Sequence, residues 1–89
     1  VSGPSRVRLK VCCIASAEEA ALAVAHGADA LGFVAPMPSG PGALPEADIA
    51  ELVPRVPPPV ASVLLTPRTD AQEIVQQARR TGVNTLQLV

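Results

Sequence analysis

Apolar and polar positions along this chain fall into two alternating rhythms. The stretch VRLKVCCI (7–14) is rich in β-branched residues and alternates like a strand. It runs into Ser16 and Glu19, an S-x-x-E capping box that opens the helical segment AEEAALAVAH, with Ala21, Leu22 and Ala25 as its small apolar face. Gly27 follows as a helix stop, and DALGFV (29–34) reads as a second strand. A Pro/Gly loop (35–44) leads to Pro45, well suited to open a helix. That helix carries Ile49, Leu52 and Val53 at helical spacing until Pro54 and the prolines at 57–59 end it. A third strand (60–66), a helix over 70–80 with Ile74, Val75 and Ala78 inward, a stop at Gly82 and a fourth strand (83–89) complete the pattern. Strands alternating with helices of this length predict an α/β fold with a parallel sheet and right-handed crossovers. The pattern divides the chain into a loose leader, 1–6, and a βαβαβαβ unit, 7–89. Two segments echo each other, HGADALGFV and TGVNTLQLV, sharing Gly27/Gly82, Leu31/Leu86 and Val34/Val89 in register. Each is a helix stop feeding a strand, as a repeating βα fold requires.

Composition narrows the function classes. The 89 residues suit one small domain or a piece of a larger one. Phe33 is the lone aromatic residue, so the core is built from aliphatic side chains, and there is no stacking platform for single-stranded nucleic acid. The net charge is −1, without the basic footprint of a nucleic-acid binder. No apolar run reaches the roughly 18 residues that span a bilayer, and the start of the chain lacks an apolar signal core. The expected location is cytoplasmic.

The one chemically reactive pair is Cys12–Cys13. Adjacent Cα atoms lie about 3.8 Å apart, below the usual disulfide range, so a redox pair is not expected. No CxxC or Cys/His ligand spacing is present, and neither a metal nor a cofactor is predicted. Strand alternation puts Cys12 on the same face as Lys10 and Cys13 on the opposite face. Taken alone, both thiols read as small core residues, since cysteine is among the most buried residue types.

The motifs change that reading. The run Lys10-Val11-Cys12-Cys13-Ile14, the acidic helix start at Glu18–Glu19, and Gly27-Ala28-Asp29-Ala30-Leu31-Gly32-Phe33-Val34 together resemble the opening of the phosphoribosylanthranilate isomerase family. ASVLLTP and GVNTLQLV resemble that family's third and fourth strands. The resemblance covers most of residues 9–89. It implies the N-terminal half of a TIM (β/α)8 barrel, strands one to four in parallel, as a fragment of a larger barrel domain. Barrel active sites lie at the C-terminal ends of the strands, which puts Cys12, the loop from Ala35, Thr66 and Val89 near the mouth.

The family carries out an Amadori rearrangement of N-(5'-phosphoribosyl)anthranilate in tryptophan biosynthesis, with a cysteine as base and an aspartate from the second half of the barrel as acid. By resemblance, Cys12 inherits the general-base position, with Lys10, Ser39 and Gln87 as substrate-binding candidates. Cys13 stands where the family keeps glycine and is expected to fill core against the first helix. Other positions depart as well. Ser39, Gly40 and Pro41 stand where the family carries a substrate-holding arginine, Val89 where it has histidine, and Ala15 where it has threonine. Asp29 reads as structural, Asp48 and Glu51 as solvated helix surface, and His26 as a dipole contact at a helix C-terminus.

Three functions compete at this level: an isomerase whose isolated first half is inactive, a divergent non-catalytic binding or assembly module, and another phosphosugar barrel enzyme. The expected partners are a phosphorylated sugar–anthranilate substrate if the protein is active, and no nucleic acid or membrane. A four-stranded half-barrel leaves two strand edges open, so a homodimer through those edges is also expected.

Overall fold

The computed structural model describes residues 6–38, 40 and 42–89. Four parallel strands, β1 (Lys10–Val11), β2 (Ala30–Val34), β3 (Ala61–Thr66) and β4 (Thr85–Leu88), lie side by side in sequence order. The helices α1 (Ala17–Ala25), α2 (Glu46–Leu52) and α3 (Ala71–Thr81) connect them, with a short 3-10 turn at Val53–Arg55. When every strand pairs with its sequence neighbour through a right-handed crossover, all helices fall on one face and the sheet forms a stretch of barrel wall. Among the described residues no helix is long and apolar enough to cross a membrane.

Strand alternation sorts the sheet into two faces. Leu31, Phe33 and Leu64 point toward the helices and are fully buried with Ala20, Ile49 and Leu52. The register pairs Lys10 with Ala30, Gly32 with Val63, and Leu65 with Gln87, so these residues share the opposite, concave face.

The local signals act where the pattern put them. Ser16 Oγ accepts from the Glu19 amide at 3.1 Å, while Glu19 Oε1 accepts from the Ala15 amide at 2.7 Å. Asp70 caps α3 by accepting from the Glu73 amide, and Gly82 ends it at φ +84°. His26 Nδ1 lies 2.9 Å from the Leu22 carbonyl in the last turn of α1, which also accepts the His26 amide at 3.1 Å. The internal echo has a structural basis as well. Asp29 Oδ2 accepts from the Leu9 amide and Asn84 Oδ1 from the Ser62 amide. In both βα units a polar side chain just before the strand holds the amide of the residue beside it on the neighbouring strand.

Three expectations are corrected. The first strand, expected over 7–14, is regular only at Lys10–Val11. Ladder bonds still reach outward, from the Asp29 amide to Leu9 O and from the Ile14 amide to Gly32 O. Between them Cys13 sits at φ +59°, which takes the chain out of extended geometry. Second, α1 turns Ala17, Ala20, Ala23 and Val24 inward, whereas Leu22 is 62% exposed and Ala21 and Ala25 face solvent. Third, α3 buries Ile74, Gln77 and Thr81 and leaves Val75 exposed. Thus α1 is rotated from the face its apolar residues suggest, whereas α3 keeps Ile74 buried and Ala78 half-buried as expected and departs in exposing Val75. Alanines and hydrogen-bonded polar groups fit the narrow space over the sheet, and larger apolar residues are left outside.

Candidate active site

The C-terminal ends of β1 and β2 bring Cys12 to the concave face. Cys12 is half-buried, and a Cβ added to Gly32 would lie 3.0 Å from its Sγ and 3.3 Å from Leu65 Cδ1. Gly32 is therefore required by the close approach of the thiol: any side chain there would displace it. One layer deeper, the Lys10 ammonium donates to Gln87 Oε1 across the concave face, joining β1 to β4. The structure thus brings Lys10 and Gln87 into contact, with Cys12 on the same face nearer the mouth. Ser39, the remaining substrate-binding candidate, lies outside the described residues. Val89 follows β4 on the face of Gln87, and its amide donates to the Thr66 carbonyl.

Cys13 is not core filler. It is exposed, and its neighbour is the β2–α2 loop: a Cβ on Gly42 would lie 2.9 Å from Cys13 Sγ. Desolvation, the adjacent Cys12 and the Glu19 carboxylate, in that order of size, raise its thiol above the ordinary value. Cys13 therefore stays protonated at neutral pH, the opposite of what a general base requires. Its left-handed backbone explains why this position suits glycine. Replacing Cys13 by Val is expected to destabilise the fold by about 1–2 kcal/mol, since a β-branched residue resists that conformation. Cys13→Gly should be tolerated to within about 0.5 kcal/mol, because relief of strain offsets the extra freedom of the unfolded chain. Urea denaturation of the two variants checks this, and equal stabilities would exclude the left-handed backbone.

The chain's carboxylates are all engaged elsewhere or carried on the helices. Asp29 pairs with Arg6 at 2.6 Å and takes the Leu9 amide, and the hydrogen bond from Arg6 does most to lower its pKa. Asp70 is occupied as a helix cap. Glu18, Glu19, Glu46, Asp48, Glu51 and Glu73 lie on helices. No carboxylate stands on the concave strand face among the described residues, so this face offers a thiol, an ammonium and an amide but no acid.

Thr66 ends β3 at the mouth, yet its hydroxyl turns to the helix side and donates to Gln77 Oε1 at 2.7 Å. Gln77 Nε2 donates to Glu46 Oε2 at 2.8 Å, and Arg80 binds both Glu46 oxygens at 2.7 and 3.1 Å. This chain of bonds ties α2 and α3 to the end of β3 and leaves the buried Gln77 fully satisfied. Sequence reading missed it because its partners are separated by up to 34 residues and no short spacing signals the contact. Arg80 does most to lower the Glu46 pKa, with help from Gln77 and Arg68 against an opposing effect of desolvation. A depressed folded-state value contributes stability that is fully present above the unfolded carboxylate range, about pH 4.3. That stability is lost as pH falls through the folded-state value. Glu46→Gln is accordingly expected to flatten part of the acid limb of stability below about pH 5. Urea midpoints measured from pH 7 down to the acid transition test this, and an unchanged acid limb would rule the network out as a source of pH dependence.

No protein-family model matches the chain. Among curated proteins it is 32% identical over 85 residues to N-(5'-phosphoribosyl)anthranilate isomerase of Thermosynechococcus vestitus, covering 96% of this chain and 36% of that one. It is 36% identical over 83 residues to N-(5'-phosphoribosyl)anthranilate isomerase 2 of Methanosarcina mazei, covering 92% and 37%. Among solved structures, phosphoribosyl anthranilate isomerase from Thermotoga maritima superposes with a TM-score of 0.85 at 31% identity, over 93% of this chain and 40% of that one. A second structure, phosphoribosyl anthranilate isomerase in complex with reduced 1-(o-carboxyphenylamino)-1-deoxyribulose 5-phosphate, superposes with the same TM-score and identity over 93% and 42%. The chain spans well under half the length of the relatives it matches. In sequence and in its four-stranded parallel wall this chain is similar to the phosphoribosylanthranilate isomerases, and it corresponds to the N-terminal half of their barrel.

Proposed function

We propose that residues 7–89 form the first half of a barrel that isomerises N-(5'-phosphoribosyl)anthranilate, with 1–6 as a leader. The observation that carries this reading is the placement of Cys12 at the end of β1, on the concave face and against Gly32. An Amadori rearrangement needs a base at C2 of the sugar and an acid at the ring oxygen. The acid protonates the ring oxygen and opens the ring to an iminium ion. The Cys12 thiolate then takes the C2 proton, and the resulting enamine–enol rearranges to the ketose product. Lys10 and Gln87 line the floor beneath this position, and Ser39 is kept as a further substrate-binding candidate. The acid must come from the complementary half, because the concave face described above carries no carboxylate. The isolated chain is accordingly inactive, and its open β1 and β4 edges invite self-pairing.

A second reading, a non-catalytic member of the family, is favoured by Ser39–Pro41 and Val89 standing where the family keeps arginine and histidine. Complementation separates the two. A barrel that joins this chain to a complementary second half should restore growth of a tryptophan auxotroph lacking the isomerase, while the 89 residues alone should not. Failure of the joined, folded barrel to support growth would favour the non-catalytic reading.

A further inference from the structure

Cys12 and Cys13 are the protein's two cysteines, and both are free. In an extended strand neighbouring side chains point to opposite faces. The left-handed backbone of Cys13, at φ +59°, cancels that alternation. Desolvation does most to raise the Cys13 pKa, and Cys12 adds to it by its charge and through a hydrogen bond between the two side chains. The sulfurs therefore meet rather than part. Glycines make room for both. A Cβ on Gly32 would lie 3.0 Å from Cys12 Sγ, and one on Gly42 would lie 2.9 Å from Cys13 Sγ. Cys13 is exposed and Cys12 half-buried, so a small molecule can reach the pair.

We propose that Cys12 and Cys13 form a dithiol site for a trivalent arsenical carrying one carbon substituent, bound through both sulfurs. Other uses of two adjacent thiols fit less well. A disulfide needs the sulfurs to close to about 2.05 Å, between residues whose Cα atoms are about 3.8 Å apart, below the usual range. Peroxide attack needs thiolate character as well as exposure, and Cys13 has only the exposure. Structural zinc takes four ligands, and among the described residues no third Cys, His, Asp or Glu joins the pair in a metal-binding group. An arsenical with one carbon substituent has two positions to exchange, so two thiols satisfy it. Its arsenic is soft and prefers sulfur to the oxygen it carries in water. Each sulfur forms an As–S bond as an As–O bond breaks, and each thiol proton leaves with the displaced hydroxide as water. Arsenic stays trivalent throughout, so neither oxidant nor reductant is consumed. The bound arsenical also occupies the thiol proposed above as the base. That consequence rests on the isomerase reading, whereas the binding does not.

The test adds phenylarsine oxide to the 89-residue chain, reading bound arsenic by intact-mass spectrometry and free thiols by colorimetric titration. One arsenical per chain and loss of both thiols are expected, reversed by 2,3-dimercaptopropanol but not by an equal concentration of a monothiol. Cys12→Ser and Cys13→Gly each leave one thiol and should bind about 100-fold or more weakly, since only the pair forms its second bond at high effective concentration. The arsenical should also raise the urea midpoint of the parent and leave that of Cys13→Gly unchanged, because it binds the folded pair. A single-thiol variant that binds as tightly as the parent overturns the proposal, as does arsenic found joining two chains. A lowered urea midpoint overturns it too, since bridging would then require the backbone to unfold. No turnover is measured, so failure here leaves the isomerase reading standing.

Discussion

Replacing Cys12 by Ala in the joined barrel is expected to lower kcat/KM for N-(5'-phosphoribosyl)anthranilate by about 10²–10⁴-fold, the usual contribution of a positioned general base. The loss should fall mainly on kcat, because the thiol acts on the C2 proton in the transition state and holds little of the substrate. Stability should change little by comparison. Cys12 is half-buried, and removing its sulfur opens space beside Gly32 that is already in reach of solvent. Steady-state kinetics with urea denaturation of the same variant separate these effects. Activity kept within about threefold of the parent would remove Cys12 from the base role, since even a weak general base contributes more than that. Cys13→Ala is the internal control: its thiol is kept protonated and faces the Gly42 loop, so its loss should leave kcat nearly unchanged.

Phe33→Ala is expected to cost about 3–5 kcal/mol, the range for removing a buried aromatic side chain. Phe33 is the only aromatic residue, is wholly inaccessible, and packs in one cluster with Leu31, Ile49 and Leu64. No neighbouring ring can swing in to fill the space. A chain of this size has roughly 5–10 kcal/mol of stability to lose, so the alanine variant should lie near the edge of folding. Phe33→Leu keeps most of the volume and should cost about 1–1.5 kcal/mol, which keeps the experiment readable if the alanine variant does not fold. Urea midpoints by circular dichroism measure both. An alanine variant as stable as the parent would mean that the helices do not pack on β2 as described.

Much of the architecture was legible in local signals. The Ser16–Glu19 box, the stops at Gly27 and Gly82 and the prolines after Val53 act within a few residues, so the order β-α-β-α-β-α-β followed from them directly. Strands β2, β3 and β4 fall within two residues of their expected bounds because each has a paired neighbour and a strong apolar run. The first strand did not, because it is interrupted by the left-handed Cys13. The facing of α1 was also out of reach. Which side of an alanine-rich helix turns inward depends on the space above the sheet, and that space is set by residues elsewhere in the chain.

The candidate site divides in the same way. Sequence by itself determined that Lys10 and Cys12 share a face, since alternation along a strand is a local property. Tertiary structure decided the rest. It brought Lys10 to Gln87 across the sheet, set Cys12 against Gly32, turned Thr66 away from the mouth toward Gln77, and laid Cys13 on the Gly42 loop. It also left the outer flank of β1 uncovered beside Leu22. Each of these depends on contacts between residues at least ten positions apart, and no local period or spacing encodes them. They exist only once the strands are in register, because register determines which side chains meet across the sheet.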